Sequence, residues 1–181
     1  AGQVQDFDPI AAGIPKKEAR RYDRYIQFAQ AAADEAVSMS GFTPGEDDPF
    51  RLGVMIGSGI GGFHTFKDEH IKYLEKGASR VSVFFIPMLI TNMASGCVAI
   101  KYGFKGQNFA TVSACASGAH AIGEAFRAIK HGYLDCALAG GSEACVDEFA
   151  LAGFNNMGAL SRSEDPLRLS IPFDKERGGF V

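Results

Sequence analysis

The chain has 181 residues, 46% of them apolar and 22% charged, with a formal net charge of −3. This composition suits a folded domain with a substantial core and excludes a disordered chain, while the acidic balance argues against general nucleic-acid binding. The four cysteines (Cys97, Cys115, Cys136 and Cys145) contain no C-x-x-C pair, so a reduced, cytoplasmic setting is expected rather than a disulfide scaffold.

Residues 1–14 read as an irregular lead-in without the apolar core of a signal peptide. Residues 16–40 read as one helix, with Tyr22, Ile26, Phe28, Ala29, Ala33, Ala36 and Val37 roughly on a 3.6-residue period. Gly41 supplies its stop. A polar loop at 42–50 leads to a buried strand at 52–56 and the glycine loop Gly57-Ser58-Gly59-Ile60-Gly61-Gly62. Residues 63–75 read as helix and 81–85 as extended. Pro87 suits the first turn of a further helix running to about residue 101, with Gly103 past its end. Residues 108–113 are β-like and 117–130 helical, and Ala119, Ile122, Phe126 and Ile129, spaced 3, 4 and 3, make one apolar face. A strand at 135–139 ends in Gly140-Gly141, and a helix covers 147–154. The tail is loop-like until an extended 179–181. Strands alternating with helices imply an α/β fold with helices on both faces of a sheet, 1–181 forming a single domain. The most apolar run, 81–90, is broken by Pro87 and too short to span a bilayer, so no membrane association is expected.

Cys115 carries the chemistry. It lies where the β-like stretch gives way to the helical one, and a thiol at a helix N-terminus is favoured as the nucleophilic thiolate by unpaired N–H groups and the helix dipole. Ala114, Ala116, Ser117 and Gly118 leave room for a substrate, and Ser117 is placed to cap the helix. A buried structural cysteine is the plain alternative. Cys97 and Cys136 lack these features, and Cys145 is a weaker candidate. A G-x-S/C-x-G elbow fits poorly, because Ser113 and Ser117 stand at the flanking positions.

The loop at 57–62 matches G-x-G-x-x-G, but no strand ending in Asp or Glu follows about 20 residues later, where the chain reads Lys76-Gly77-Ala78-Ser79-Arg80. A turn that lets other elements pack closely is the better reading than a dinucleotide site. Lys17, Arg20 and Arg21 stand at i, i+3 and i+4, a basic face that is either a solvated surface or a dock for an acidic partner. His120 follows Cys115 by five residues, which turns it well away from the thiol on a helix. The histidines and cysteines show no metal spacing, so no metal and no cofactor are expected. The run 84–90 suits either core or a subunit interface.

With these residues in hand, the chain strongly resembles the β-ketoacyl-[acyl-carrier-protein] synthases of fatty acid synthesis, closest to the type II elongating enzyme. The matching stretches are 54–62 (VMIGSGIGG), 84–93 (FFIPMLITNM), 112–123 (VSACASGAHAIG), 138–144 (LAGGSEA), 152–154 (AGF), 158–161 (GALS) and 172–181 (PFDKERGGFV). The resemblance implies a thiolase-like, layered αβαβα architecture, of which this chain is one incomplete half: the first strand and the C-terminal half are absent. It implies a homodimer, with Cys115 as the acyl-accepting nucleophile and its amide in the oxyanion hole. It also implies that Ile60, Phe85, Ala114 and Phe154 line the acyl pocket and that Lys17, Arg20 and Arg21 meet acyl carrier protein. The family's two catalytic histidines and a lysine lie in its C-terminal half, and none of His64, His70, His120 or His131 matches them. Two rival readings stay open: a polyketide-type ketosynthase of the same fold, and a dimerisation fragment without chemistry of its own.

Overall fold

In the computed structural model, which describes residues 2–43 and 45–181, the elements run α1 (Lys16–Ala19), α2 (Arg24–Ser40), β1 (Leu52–Gly57), α3 (Phe63–Lys76), α4 (Phe85–Leu89), α5 (Met93–Tyr102), β2 (Asn108–Phe109), α6 (Ser117–Lys130), β3 (Cys136–Gly141) and α7 (Glu148–Asn156). Ala1 in the lead-in and Pro44 in the polar loop lie outside the described residues. The chain divides into a larger unit, Asp8–Ala144, and a smaller one built from Cys145–Val181 with the N-terminal residues up to Phe7.

The larger unit is organised around β1. Every residue of this strand is buried, as expected of a parallel strand covered on both faces. It is the middle strand of a parallel sheet of order β2–β1–β3, with Val54 opposite Asn108 and Leu52 through Gly57 opposite Cys136 through Gly141. Leu52, Val54 and Ile56 pack into one cluster with Tyr25, Ile26, Ala29 and Ala33 of α2 and with Ala94, Cys97 and Val98 of α5. Met55 turns the other way, toward Ala121, Ala125 and Ala128 of α6. The α/β expectation, with helices on both faces of the sheet, is met.

Several boundaries differ from the sequence reading, each for a polar reason. The helix read over 16–40 is two helices, because the buried Asp23 is extended (ψ 159°) and caps α2, accepting the Tyr25 amide at 3.2 Å. Its second oxygen accepts the amide and hydroxyl of Thr65 on α3, at 2.9 and 2.7 Å. Gly41 ends α2 in the left-handed region as anticipated (φ 71°). Residues 81–85 form no strand, although Val81 itself is extended (ψ 136°). Glu69 accepts the Ser82 amide at 2.6 Å, and the Ser82 hydroxyl accepts the Phe84 amide at 3.1 Å, turning the chain into α4. Partial burial pushes the Glu69 carboxyl up, but the Ser82 amide and the Lys72 ammonium outweigh it and hold the group below its ordinary value.

The single helix anticipated from Pro87 to about residue 101 is also divided. The Ile90 carbonyl accepts the Tyr25 hydroxyl at 2.6 Å, and Ile90 itself is extended (ψ 136°). Burial pushes the Tyr25 phenol up, so it remains a donor there. The strand read over 108–113 shortens to two residues. Beyond it, the buried Ser95 of α5 substitutes for a strand: its hydroxyl accepts the Ile56 amide and donates to the Phe109 carbonyl, both at 2.9 Å.

Helix α6 keeps its expected limits but not its expected buried face. Ser117, Ala121, Ala125 and Ala128 lie against the sheet. Ile122, Phe126 and Ile129 are 56, 63 and 42% exposed. Small side chains let α6 lie close to the strands, which sends the bulky apolar stripe outward. Nor is the 84–90 run core, since α4 contains no buried residue.

In the smaller unit, Asp147 caps α7 through the Phe149 amide at 2.9 Å. Leu160 bridges Phe180, and the Phe154 and Phe180 rings meet edge to face at 5.3 Å. Among the described residues no helix is long and apolar enough to cross a membrane.

Asp23 ties two helices through one buried carboxylate. Asp23→Ala should cost about 2–4 kcal/mol in urea unfolding, and Asp23→Asn, which keeps one acceptor, a smaller amount.

Candidate active site

Three parallel strands deliver three loops at their carboxyl ends, the usual location of a site in a parallel sheet. β2 leads to the turn bearing Cys115, β1 to the glycine loop, and β3 to Ser142 and Glu143. The register places Gly57 beside Gly141, and the Ser142 amide donates to the Gly57 carbonyl at 3.0 Å. The Ser58 amide donates to the Thr111 carbonyl at 3.3 Å, tying the glycine loop to the approach to Cys115.

The Cys115 turn is sharp. The Ala116 and Ser117 amides donate to the Ser113 and Ala114 carbonyls, both at 3.1 Å. Ala114 sits in the left-handed region at φ 51°, a conformation costing a side-chain-bearing residue on the order of 1 kcal/mol. What holds it there is Ser117. Its hydroxyl accepts the Ser113 amide at 2.9 Å and donates to the Ala114 carbonyl at 2.7 Å, while its own carbonyl accepts the Thr111 hydroxyl at 2.7 Å. Ser117 is therefore not the cap expected from the sequence. Ala116 occupies that position without a side-chain bond, and the Ser117 hydroxyl stitches the preceding turn instead. Cys115 stands two residues ahead of the helix with its side chain open to solvent. A strand–turn–helix bend with strained backbone thus forms here without the G-x-S/C-x-G pattern.

Gly57 is required by close approach, because a Cβ at that position would overlap the Ser117 carbonyl. The same holds where α6 crosses β3: a Cβ on Gly141 would stand 2.8 Å from the Gly118 Cα. The Cys115 turn is thus seated directly on backbone.

The sequence reading missed Glu143. One of its oxygens accepts the Gly59 amide at 2.7 Å and the Ile60 amide at 3.1 Å, and the other accepts the Ser58 hydroxyl at 3.1 Å. Buried Ser58 in turn accepts the Gly61 amide at 3.0 Å. The available signal was an acid two residues after a strand ending in Gly-Gly. Its consequence for the loop is direct: the amides that would cradle a dinucleotide pyrophosphate are already engaged by a carboxylate of the chain itself, which removes that reading.

Of the residues expected at an acyl pocket, Cys115, Ala114 and Ile60 come together. A Cβ on Gly59 would lie 3.0 Å from Glu143 and 3.6 Å from the Ala114 carbonyl, so the loop is sandwiched between them. Ile60 is 40% exposed beside this contact. Phe85 opens α4, whose far end is bonded to the loop through the Gly62 amide and Leu89 carbonyl at 2.9 Å. Phe154 belongs to the smaller unit, on Phe180. His120 is exposed, and its Nδ1 lies 2.6 Å from the Ser113 hydroxyl. Cys97 is buried, and that burial pushes its thiol up, away from reactivity.

Lys17, Arg20 and Arg21 do not share a helical face, since α1 ends at Ala19. They nonetheless gather with Lys16 and Phe84 around one open cavity of about 480 Å³. The Arg21 guanidinium lies 4.5 Å from the centre of the Phe84 ring.

The family profile described as "Beta-ketoacyl synthase, N-terminal domain" matches residues 1–181, and the chain belongs to this family. Curated relatives are named 3-oxoacyl-[acyl-carrier-protein] synthase 2. One from Synechocystis is 46% identical over 99% of this chain and 43% of its own length. One from Staphylococcus aureus is 48% identical over 100% of this chain and 45% of its own length. The chain thus spans less than half of these relatives. Among solved structures, a β-ketoacyl synthase from Burkholderia phymatum is 30% identical, with a TM-score of 0.77 over the whole chain and 43% of its own. A ketosynthase in complex with its type II polyketide acyl-carrier protein has a TM-score of 0.81 at 24% identity over 90% of this chain and 46% of that one, a likeness of fold.

Gly57→Ala drives a Cβ into the Ser117 carbonyl and the Thr111 hydroxyl. It should lower stability in urea unfolding by about 1–3 kcal/mol, the range for overpacking against fixed backbone.

Proposed function

We propose that the protein carrying this chain is a 3-oxoacyl-[acyl-carrier-protein] synthase of fatty acid elongation, with Cys115 as its acyl acceptor. The observation that carries the reading is the exposed thiol on a strained strand–turn–helix bend, at the carboxyl ends of three parallel strands, within a whole-chain family match. The Cys115 thiolate attacks the thioester carbonyl of an acyl-loaded carrier protein. The Cys115 amide forms part of the oxyanion hole that stabilises the developing charge. Its collapse expels the carrier's thiolate and leaves the acyl group on Cys115. Malonyl-carrier protein then loses CO₂, and the resulting carbanion attacks the Cys115 thioester. A carbon–carbon bond forms, the Cys115 thiolate departs, and the chain is two carbons longer.

Groups assisting decarboxylation belong, by the resemblance, to the other half of the family's fold. The 181 residues alone are expected to accept an acyl group without completing condensation, since a missing positioned acid or base costs about 10²- to 10⁴-fold in rate. The fatty acid assignment over the polyketide one rests on identity: 46–48% to the curated synthases against 24% to the ketosynthase solved with its type II polyketide carrier protein.

Ile60, Phe85, Ala114 and Phe154 are assigned to the acyl pocket. The patch of Lys17, Arg20 and Arg21 is assigned to the acidic carrier protein, with charge complementarity acting mainly on encounter. The exposed Ile122, Phe126 and Ile129 stripe of α6 and the exposed Val83 and Ile86 beside α4 favour a packing role as well, toward another layer of the enzyme and a second subunit.

Incubation with labelled acyl-carrier protein should label this chain and leave Cys115→Ala unlabelled, and equal labelling of both would remove Cys115 from the role. Iodoacetamide near neutral pH separates a catalyst, with a fast thiol, from a packing module with an ordinary one. Charge reversal at Arg20 (Arg20→Glu) should slow acylation about tenfold at low salt, less at high salt, and leave alkylation of Cys115 unchanged.

A further inference from the structure

We infer that Glu143 is a positioning residue that locks the Ile60 loop onto the Cys115 turn and so sets which acyl chains the site admits. The second half of this inference rests on the proposed acyl transfer at Cys115. Glu143 has no part in the chemistry written above, yet it is the most heavily bonded side chain at the site. Its carboxylate accepts from the Gly59 and Ile60 amides and, through its other oxygen, from the Ser58 hydroxyl.

The arrangement has one anchored end and one soft end. Glu143 stands two residues past the end of β3, and the intervening Ser142 is bonded on both sides, its amide to the Gly57 carbonyl and its hydroxyl to the Tyr25 carbonyl at 2.6 Å. The glycine loop is framed at its two ends, by the Ser58 amide on the Thr111 carbonyl and the Gly62 amide on the Leu89 carbonyl, but its middle leans on Glu143. Between Gly57 and Gly62, the Gly59 and Ile60 amides have only Glu143 as their acceptor among the described residues. The loop lies between Glu143 and Ala114, in contact distance of both. Without the carboxylate, two adjacent amides lose their partner and the loop is free to leave Ala114. Ile60 is the residue after Gly59, so any movement shifts an apolar side chain at the mouth of the thiol site. Ion pairing does not explain the contact, since among the described residues no Lys or Arg bridges Glu143.

A group acting this way changes selectivity rather than reactivity. Glu143→Gln keeps a single acceptor oxygen of similar reach, whereas Glu143→Ala keeps none. In the intact protein we expect amide hydrogen exchange at Gly59 and Ile60 to rise about tenfold or more in Glu143→Ala and less in Glu143→Gln, with β1 unchanged. The ratio of acylation rates with four-carbon and sixteen-carbon acyl-carrier protein should shift about fivefold or more, through KM for the acyl substrate. Alkylation of Cys115 by iodoacetamide should stay within about twofold, because the small reagent does not test the pocket wall. Glu124→Gln on α6 serves as a control for loss of an acidic side chain. If Glu143→Ala does not fold, Glu143→Gln carries the test by itself.

Unchanged exchange at Gly59 and Ile60 overturns the clamp. A loosened loop with an unchanged chain-length ratio overturns the selectivity role. An unaltered protein that takes up no acyl group sinks the acyl-transfer reading and the selectivity role with it, while the exchange data still decide the clamp.

Discussion

The contact on which the rest depends is backbone against backbone. Helix α6 begins directly above Gly57 of the central strand and crosses β3 where Gly118 meets Gly141. A methyl group at Gly57 would enter the Ser117 carbonyl, and one at Gly141 would crowd the Gly118 Cα. This approach brings the start of α6 down onto the sheet and leaves no height for a gradual connection from β2. The chain between them must bend sharply, so Ala114 is held at positive φ and Cys115 is thrust outward. The same approach explains the helix's orientation. Only alanine and serine fit against the sheet, and the isoleucines and phenylalanine face away.

Close packing of this kind removes ordinary strand pairing, and hydroxyl groups take its place. Ser95 supplies both halves of a missing strand partner to Ile56 and Phe109. Ser117 and Thr111 stitch the Cys115 turn, and Ser58 relays the Gly61 amide to Glu143. Such networks are demanding, because a buried donor left without a partner costs about 1–3 kcal/mol. They also localise precision. Each of these side chains lies at or beside the carboxyl ends of the strands, where the thiol is presented.

Much of this was legible in the sequence where local chemistry decides. Cys115 was placed at a strand–helix junction by its small neighbours and by the change of pattern around it, and the limits of α6 follow from its own periodicity. Gly41 and Gly103 end helices in the left-handed region, as their positions suggested. The misread boundaries at 16–40, at 81–85 and from Pro87 share one cause. Asp23, Glu69 and Tyr25 each form a bond to a residue far away in the chain, with Thr65, Ser82 and Ile90. Those bonds break the helices read over 16–40 and from Pro87, and they turn residues 81–85 away from an extended path. Periodicity carries no trace of them. Glu143 stayed hidden for the same reason, since its partners lie more than 80 positions earlier.

By itself, then, the order of residues determined the α/β class and the family, and it singled out Cys115 at its strand–helix junction, because these reside in short runs whose chemistry is complete within a few positions. Tertiary structure alone decided which face of α6 is covered, that the glycine loop is held by Glu143 instead of being open to a phosphate, and that Lys17 on α1 and Arg20 and Arg21 just past it converge around Phe84. Each of these depends on distances between segments remote in the chain. Such distances are set by how closely the backbones approach, and only the packed fold specifies that.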